Sequence, residues 1–180
     1  PADFDATIAG ATPVTAPQLH GVRLQFNRTV HRSADSYIPP EKYPAIHDAA
    51  LQACDALDGV KDGVIDSPTR CKFDPGVLAC KGPDGPACLT PAQVETARDI
   101  YAPVKDPKSG ATISFPLLHP GSELVWGTLA GPVPYQIALE AFRYVAFHDP
   151  TRKAAAINGS AGIGPPGAQP GGADAPGPTP

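Results

Sequence analysis

The chain is as informative for what it lacks as for what it holds. It has no methionine, one tryptophan, 7% aromatic residues and only 18% charged residues. It has no apolar run of about 18 residues, which a membrane-spanning helix needs. No Lys/Arg cluster forms a basic stripe, and the formal net charge is −4. That balance argues against a nucleic-acid partner, whose phosphates call for concentrated positive charge. No basic segment leads into an apolar one, so no signal peptide is visible. The chain opens on Pro1 without a methionine, from which truncation is expected. Plentiful instead are glycine (18) and proline (24), with the excess gathered towards the C-terminal end.

All four cysteines, Cys54, Cys71, Cys80 and Cys88, fall in one short stretch. Three pairings are open to them. Sequential pairing, Cys54 with Cys71 and Cys80 with Cys88, closes two small loops that contain Pro or Gly turn residues. The competing reading is a zinc site, but there is no C-x-x-C pair and no histidine lies between the cysteines. Disulfides are the expectation, and they imply an oxidising compartment, secreted or periplasmic.

Along the chain, Ala6–Ala11 (ATIAGA) reads as a short buried strand of the parallel-sheet kind, whose partner strands lie outside this chain. Residues 14–39 read as polar and irregular. A helix is predicted from Pro44 to Leu57, with Pro44 in its first turn and Ile46, Ala49, Ala50, Ala53 and Leu57 as its apolar face. Residues 58–88 form a structured loop rich in Asp, Gly, Pro and Cys. A second helix starts at Thr90-Pro91-Ala92-Gln93, a capping box with proline in the first turn, and turns Val94, Ala97, Ile100 and Tyr101 inward. A hairpin follows at 106–115, turning at Ser109-Gly110, and a third helix at Tyr135–Phe147 ends at Asp149-Pro150. From Gly159 to Pro180 the chain is nearly all Gly, Pro and Ala, which predicts a disordered tail or, as a hypothesis, a shifted reading frame.

Chemistry concentrates in Cys54-Asp55-Ala56-Leu57-Asp58-Gly59-Val60-Lys61-Asp62-Gly63-Val64-Ile65-Asp66. Four carboxylates crowd the C-terminal end of a predicted helix, where orphan carbonyls are already negative. A hard cation makes such crowding favourable, since calcium takes six to eight oxygen ligands. Asp55 and Asp58 lie three apart on one face of the last turn. Gly59 and Gly63 allow the chain to fold back so that Asp62 returns a carboxylate, and Val60 and Val64 offer alternate backbone carbonyls. The pattern is not an EF-hand. On spacing alone, a calcium loop and a solvated Asp/Gly turn both remain open.

This run, together with Cys71, Phe73-Asp74-Pro75, Cys80 and Cys88-Leu89-Thr90-Pro91-Ala92-Gln93-Val94, closely resembles the lid domain of tannase-family esterases, a family that includes tannases, feruloyl esterases and mono(hydroxyethyl) terephthalate hydrolase. The resemblance covers residues 1 to about 150 and is most specific in the acidic, cysteine-flanked part. It implies one calcium ion held by the side chains of Asp55, Asp58 and Asp62 and the carbonyls of Val60 and Val64. It also implies lid disulfides matching the two sequential cysteine pairs. Pro1-Ala2-Asp3-Phe4-Asp5 and Ala9-Gly10 resemble the segment that follows the nucleophile helix of the family's α/β-hydrolase core. Pro120-Gly121-Ser122-Glu123 and residues 142–150 resemble later lid elements.

The fold expected is therefore a fragment of an α/β-hydrolase. Residues 1–20 would be a core remnant with one strand, 21–150 a mostly helical and irregular lid domain with disulfides and a calcium loop, and 151–180 a disordered tail. The family's Cys-Ser-x-Gly-Gly-like nucleophile elbow is absent, as is its relative G-x-S-x-G. Of the five histidines, His20, His31, His47, His119 and His148, His47 is expected at the surface of the first helix and His148 at a helix end where a cation suits the dipole. Ser122 and Ser160 lack a strand–turn–helix setting. No catalytic residue is assigned. Trp126, Phe142 and Tyr144 could line an aromatic acyl pocket, but spacing alone makes them core or lid-packing residues, and no substrate role is assigned to them. Two functions compete: the lid region of a secreted serine esterase, acting on aromatic or phenolic acid esters only as part of a complete enzyme, and a stand-alone extracellular calcium-binding, disulfide-stapled module.

Overall fold

A computed structural model describes residue 10 and residues 16–106, 109–116 and 118–153. Its regular elements are helices α1 (Ala16–Val30), α2 (Tyr43–Cys54) and α3 (Pro91–Tyr101), strands β1 (Val104–Lys105) and β2 (Thr112–Ser114), and short helices α4 (Gly127–Ala130) and α5 (Gln136–Glu140). A π-helical turn, Ala141–Ala146, continues α5. The strand expected at Ala6–Ala11 and the tail from Gly159 lie outside the described residues.

The first helix corrects the reading of residues 14–39 as irregular. Val22, Phe26 and Val30 recur every fourth residue and are buried, joined by Leu24, Asn27 and His31. Arg23, Gln25 and Arg28 lie between them, and this interleaving of long polar chains hides the period. Such side chains still favour helix, and packing of one apolar stripe decides the outcome.

Helix α2 begins and ends close to the predicted positions, but its buried face is Tyr43, Ile46, Ala50 and Cys54; Ala53 and Leu57 face solvent. The chain tightens into a 3-10 turn at Asp55–Asp58, rotating Leu57 off the helix's inner face. In α3 the capping box is formed: Thr90 Oγ1 accepts from the Gln93 N–H, and Gln93 Oε1 accepts from the Thr90 N–H. Val94, Ala97 and Ile100 are buried as expected. The hairpin pairs β1 with β2 antiparallel, with Val104 opposite Ser114 and Gly110 at positive φ in the turn.

The principal core joins α1, α2 and α3 through Phe26, Val30, Ile38, Tyr43, Ile46, Leu89, Val94, Ile100 and Trp126. Trp126 is fully buried, edge-on to Tyr43 and Tyr101. Each such aromatic pair adds about 0.5–1.5 kcal/mol beyond area burial. A smaller cluster of Ala50, Cys54 and Ile65 sits beneath the acidic loop. Phe142 packs against Leu24, Ala138 and Leu139, whereas Tyr144 is exposed.

Candidate metal-binding loop

Two disulfides staple the loop region, Cys54–Cys71 and Cys80–Cys88. The first holds the end of α2 against the far side of the acidic turn. Its Cys54 belongs to the buried cluster with Ala50 and Ile65, so the staple is anchored in packed side chains.

Within this frame Asp55 is only 5% exposed. Its carboxylate accepts the Gly63 N–H at 3.1 and 3.2 Å and the Asp62 N–H at 3.3 Å. Asp58 and Asp62 each fold over their own turn, accepting the N–H of Val60 (2.8 Å) and Val64 (3.1 Å). Gly59 and Gly63 sit at φ 98° and 83°, left-handed values that let the chain reverse twice in five residues. Val60 and Val64 turn their side chains to solvent.

Among the described residues no Lys, Arg or His pairs with Asp55, Asp58 or Asp62; the ion pairs there are Arg32–Asp99, Lys42–Asp84, His47–Glu123, Arg98–Asp74 and Arg98–Glu95. A buried carboxylate without a cation is costly unless hydrogen bonds or a metal offset its desolvation. The donor set of the loop, three carboxylates and two backbone carbonyls, is all oxygen and fits a hard divalent cation. The carboxylates are not drawn fully together: among the described residues, the trio whose ligand atoms lie within 4.8 Å of one another is Cys80, Asp84 and Cys88. The sulfurs of that trio are joined to each other.

The second stapled loop is neutralised from within. Lys42, itself buried, donates to Asp84 and to Gln93 Oε1 (2.7 Å). The hydrogen bond from Lys42 holds the Asp84 carboxyl below its ordinary value.

A third polar group escaped the sequence. His47, expected at the surface, is half-buried, with Nδ1 2.9 Å from the carboxylate of Glu123. Glu123 is fully buried and also accepts from Tyr101 Oη (2.6 Å) and the Gly121 N–H (2.9 and 3.1 Å). Burial first, and then the Glu123 charge and hydrogen bond, push the Tyr101 phenol well above its ordinary value, keeping it a donor. The three residues are 54 and 22 positions apart along the chain, and nothing local to any of them announces the contact. Ser122 donates to the His119 carbonyl and accepts from Trp126 Nε1, so it is a structural hydroxyl. Elsewhere His31 stacks on Tyr37, 3% exposed, and burial lowers its pKa. No helix among the described residues is long and apolar enough to cross a membrane.

The described residues form a mostly helical segment braced by two disulfides, and comparison with known proteins gives its family. The sequence signature of the family described as tannase and feruloyl esterase matches residues 1–162, so the chain belongs to that family. It is 32% identical over 154 residues to a probable feruloyl esterase B of Aspergillus clavatus, covering 83% of this chain and 29% of that protein. A probable feruloyl esterase B-2 of Aspergillus fumigatus matches at 30% with the same coverage. Among solved structures, feruloyl esterase B from Aspergillus oryzae superposes with a TM-score of 0.74 at 29% identity, over 86% of this chain and 31% of that one. Tannin acyl hydrolase from Aspergillus niger shares the fold at a TM-score of 0.57 and 20% identity, over 77% of this chain and 28% of that one. The chain thus spans roughly three-tenths of the length of the curated relatives it matches.

Proposed function

We propose that this chain is the calcium-binding lid region of a secreted carboxylic ester hydrolase that cleaves esters of aromatic or phenolic acids. Family membership supports the ester chemistry, and the disulfides support an oxidising, extracytoplasmic setting. The observation that carries the calcium assignment is the buried Asp55 carboxylate at the end of a stapled helix, which pairs with no side-chain cation among the described residues. Asp55, Asp58 and Asp62 would supply carboxylates and Val60 and Val64 carbonyls. Calcium, when bound, contributes charge neutralisation and a rigid cross-link, not reaction chemistry. The chain's own residues do the rest: the Cys54–Cys71 bridge pre-orders the loop, and the two left-handed glycines let Asp62 return towards Asp55.

In the complete enzyme such a lid would cover a serine nucleophile that attacks the ester carbonyl and passes through an acyl-enzyme. This chain carries no nucleophile elbow, and we expect it to be inactive alone. The test has two parts. Oxidised chain is heated in calcium chloride and in EDTA; a calcium-dependent rise in Tm supports the ion, and equal values remove it. The same material is then offered a chromogenic aryl ester; turnover abolished by a serine-directed inhibitor would overturn the assignment as a lid.

A further inference from the structure

The acidic loop and the Glu123 network share two physical connections. Helix α2 carries both His47 and, two turns later, Cys54 at the mouth of the loop. The other connection runs through Ile65, which leaves the loop immediately after Val64. Its side chain is buried with Ala50 and Cys54 and packs against Gly121, 3.5 Å from where a β-carbon at that glycine would sit. Gly121, at φ 99°, directs its N–H to Glu123, and Glu123 returns to α2 by pairing with His47. The path from α2 through residues 55–65, Gly121, Glu123 and His47 back to α2 is a closed ring of packed and hydrogen-bonded groups.

We propose that Glu123 is a positioning residue that couples ion occupancy of the 55–64 loop to the segment 119–126, with Ile65 as the mechanical link. The inference rests on the calcium reading above. A cation fixing the backbone at Val64 fixes Ile65 one residue on. A seated Ile65 holds Gly121 in its left-handed turn, and that turn aims the N–H which, with Tyr101 and His47, satisfies the buried carboxylate. Coupling is reciprocal, so an intact Glu123 network tightens ion binding by the same factor by which the ion tightens the network. Trp126, fully buried and immediately before α4, follows directly, so the ring reaches the core.

Magnetic resonance on the whole 180-residue chain with both disulfides formed tests this, with calcium chloride as the probe. The amides of Gly59 and Gly63 report the loop, and the imidazole signals of His47, assigned by their loss in His47→Gln, report the far side of the ring. Expected is that both sets move together with one midpoint, and that Glu123→Gln weakens that midpoint about fivefold, the lower end of ordinary coupling. In Ile65→Ala, which leaves every charge in place, the glycine amides should still respond and the imidazole should not. A merely structural Glu123 would lower Tm without altering the calcium midpoint. Glycine amides that move while the wild-type imidazole stays still overturn the coupling and leave the calcium site standing. An imidazole that still follows calcium in Ile65→Ala overturns Ile65 as the link. If neither set responds, the calcium reading falls and the coupling with it. Should Glu123→Gln fail to fold, the Ile65→Ala comparison decides.

Discussion

The two stapled loops solve the same problem with opposite signs. Beneath the Cys80–Cys88 loop the buried charge is a cation, Lys42, and the loop supplies the exposed anion Asp84 that meets it. Beneath the Cys54–Cys71 loop the buried charge is an anion, Asp55, and the loop supplies backbone N–H groups from Asp62 and Gly63 but no side-chain cation. Glu123, also buried, has His47, Tyr101 and the Gly121 N–H. Lys42 and Glu123 each meet a side chain of complementary character, and buried Arg143 donates to the Arg152 carbonyl; against these, Asp55 has backbone N–H groups. On the function proposed above, a divalent ion from solution would complete the partners of Asp55.

The comparison can be broken at several points. The largest effect is expected from cutting the first staple. Cys54→Ala with Cys71→Ala opens a loop of 17 residues and should cost about 3 kcal/mol by loop entropy, against about 2.5 kcal/mol for opening the second loop by the same relation. The first cut should also weaken calcium binding and the second should not; equal calcium midpoints in both variants would show that the staple does not pre-order the loop. Next comes the ion itself. Calcium at a hundredfold excess over its Kd should stabilise the chain by about 2.7 kcal/mol. Asp58→Ala should remove that increment while leaving Tm in EDTA little changed, because Asp58 is exposed and bonds only its own turn. A smaller effect is expected from Lys42→Met. Its cost should be about 1 kcal/mol, the value of a lost buried hydrogen bond to Gln93, since Gln93 Oε1 keeps the Thr90 N–H. The urea midpoint should fall with m unchanged, and calcium should not restore it.

What the sequence revealed was local. The capping box at Thr90–Gln93, the Gly110 turn and the sequential cysteine pairs are each written within a short stretch, and the structure places them as expected. The α1 period Val22–Phe26–Val30 was present but masked by interleaved arginines. Leu57 was assigned to a face that the 3-10 turn rotates away, because helix periodicity assumes 3.6 residues per turn to the end. His47, Tyr101 and Glu123 were beyond reach for a different reason. Their meeting depends on how α2, α3 and the 121–126 turn pack, and side-chain pairs so far apart leave no periodic trace.

The smallest effect separates the two loops by pH. Asp84 is held below its ordinary value of 3.8, chiefly by the hydrogen bond from Lys42. A carboxyl depressed in the folded state binds its proton more readily in the unfolded chain. Its contribution to stability is therefore fully present above pH 3.8 and is lost as pH falls from there through the lower folded value. His31, lowered by burial from 6.5, follows the same sign in a separate window, losing its contribution as pH falls below 6.5. A Tm profile in EDTA should thus decline in two stages. Asp84→Asn should make only the more acidic stage shallower, without abolishing it, because Asp74 and Asp149 are also held below 3.8 and the His31–Tyr37 stack is untouched. If Asp84→Asn leaves the profile below pH 4 superimposable on wild type, the Lys42–Asp84 clasp carries no stability, and the contrast between an internally neutralised loop and an ion-seeking one loses one of its two sides.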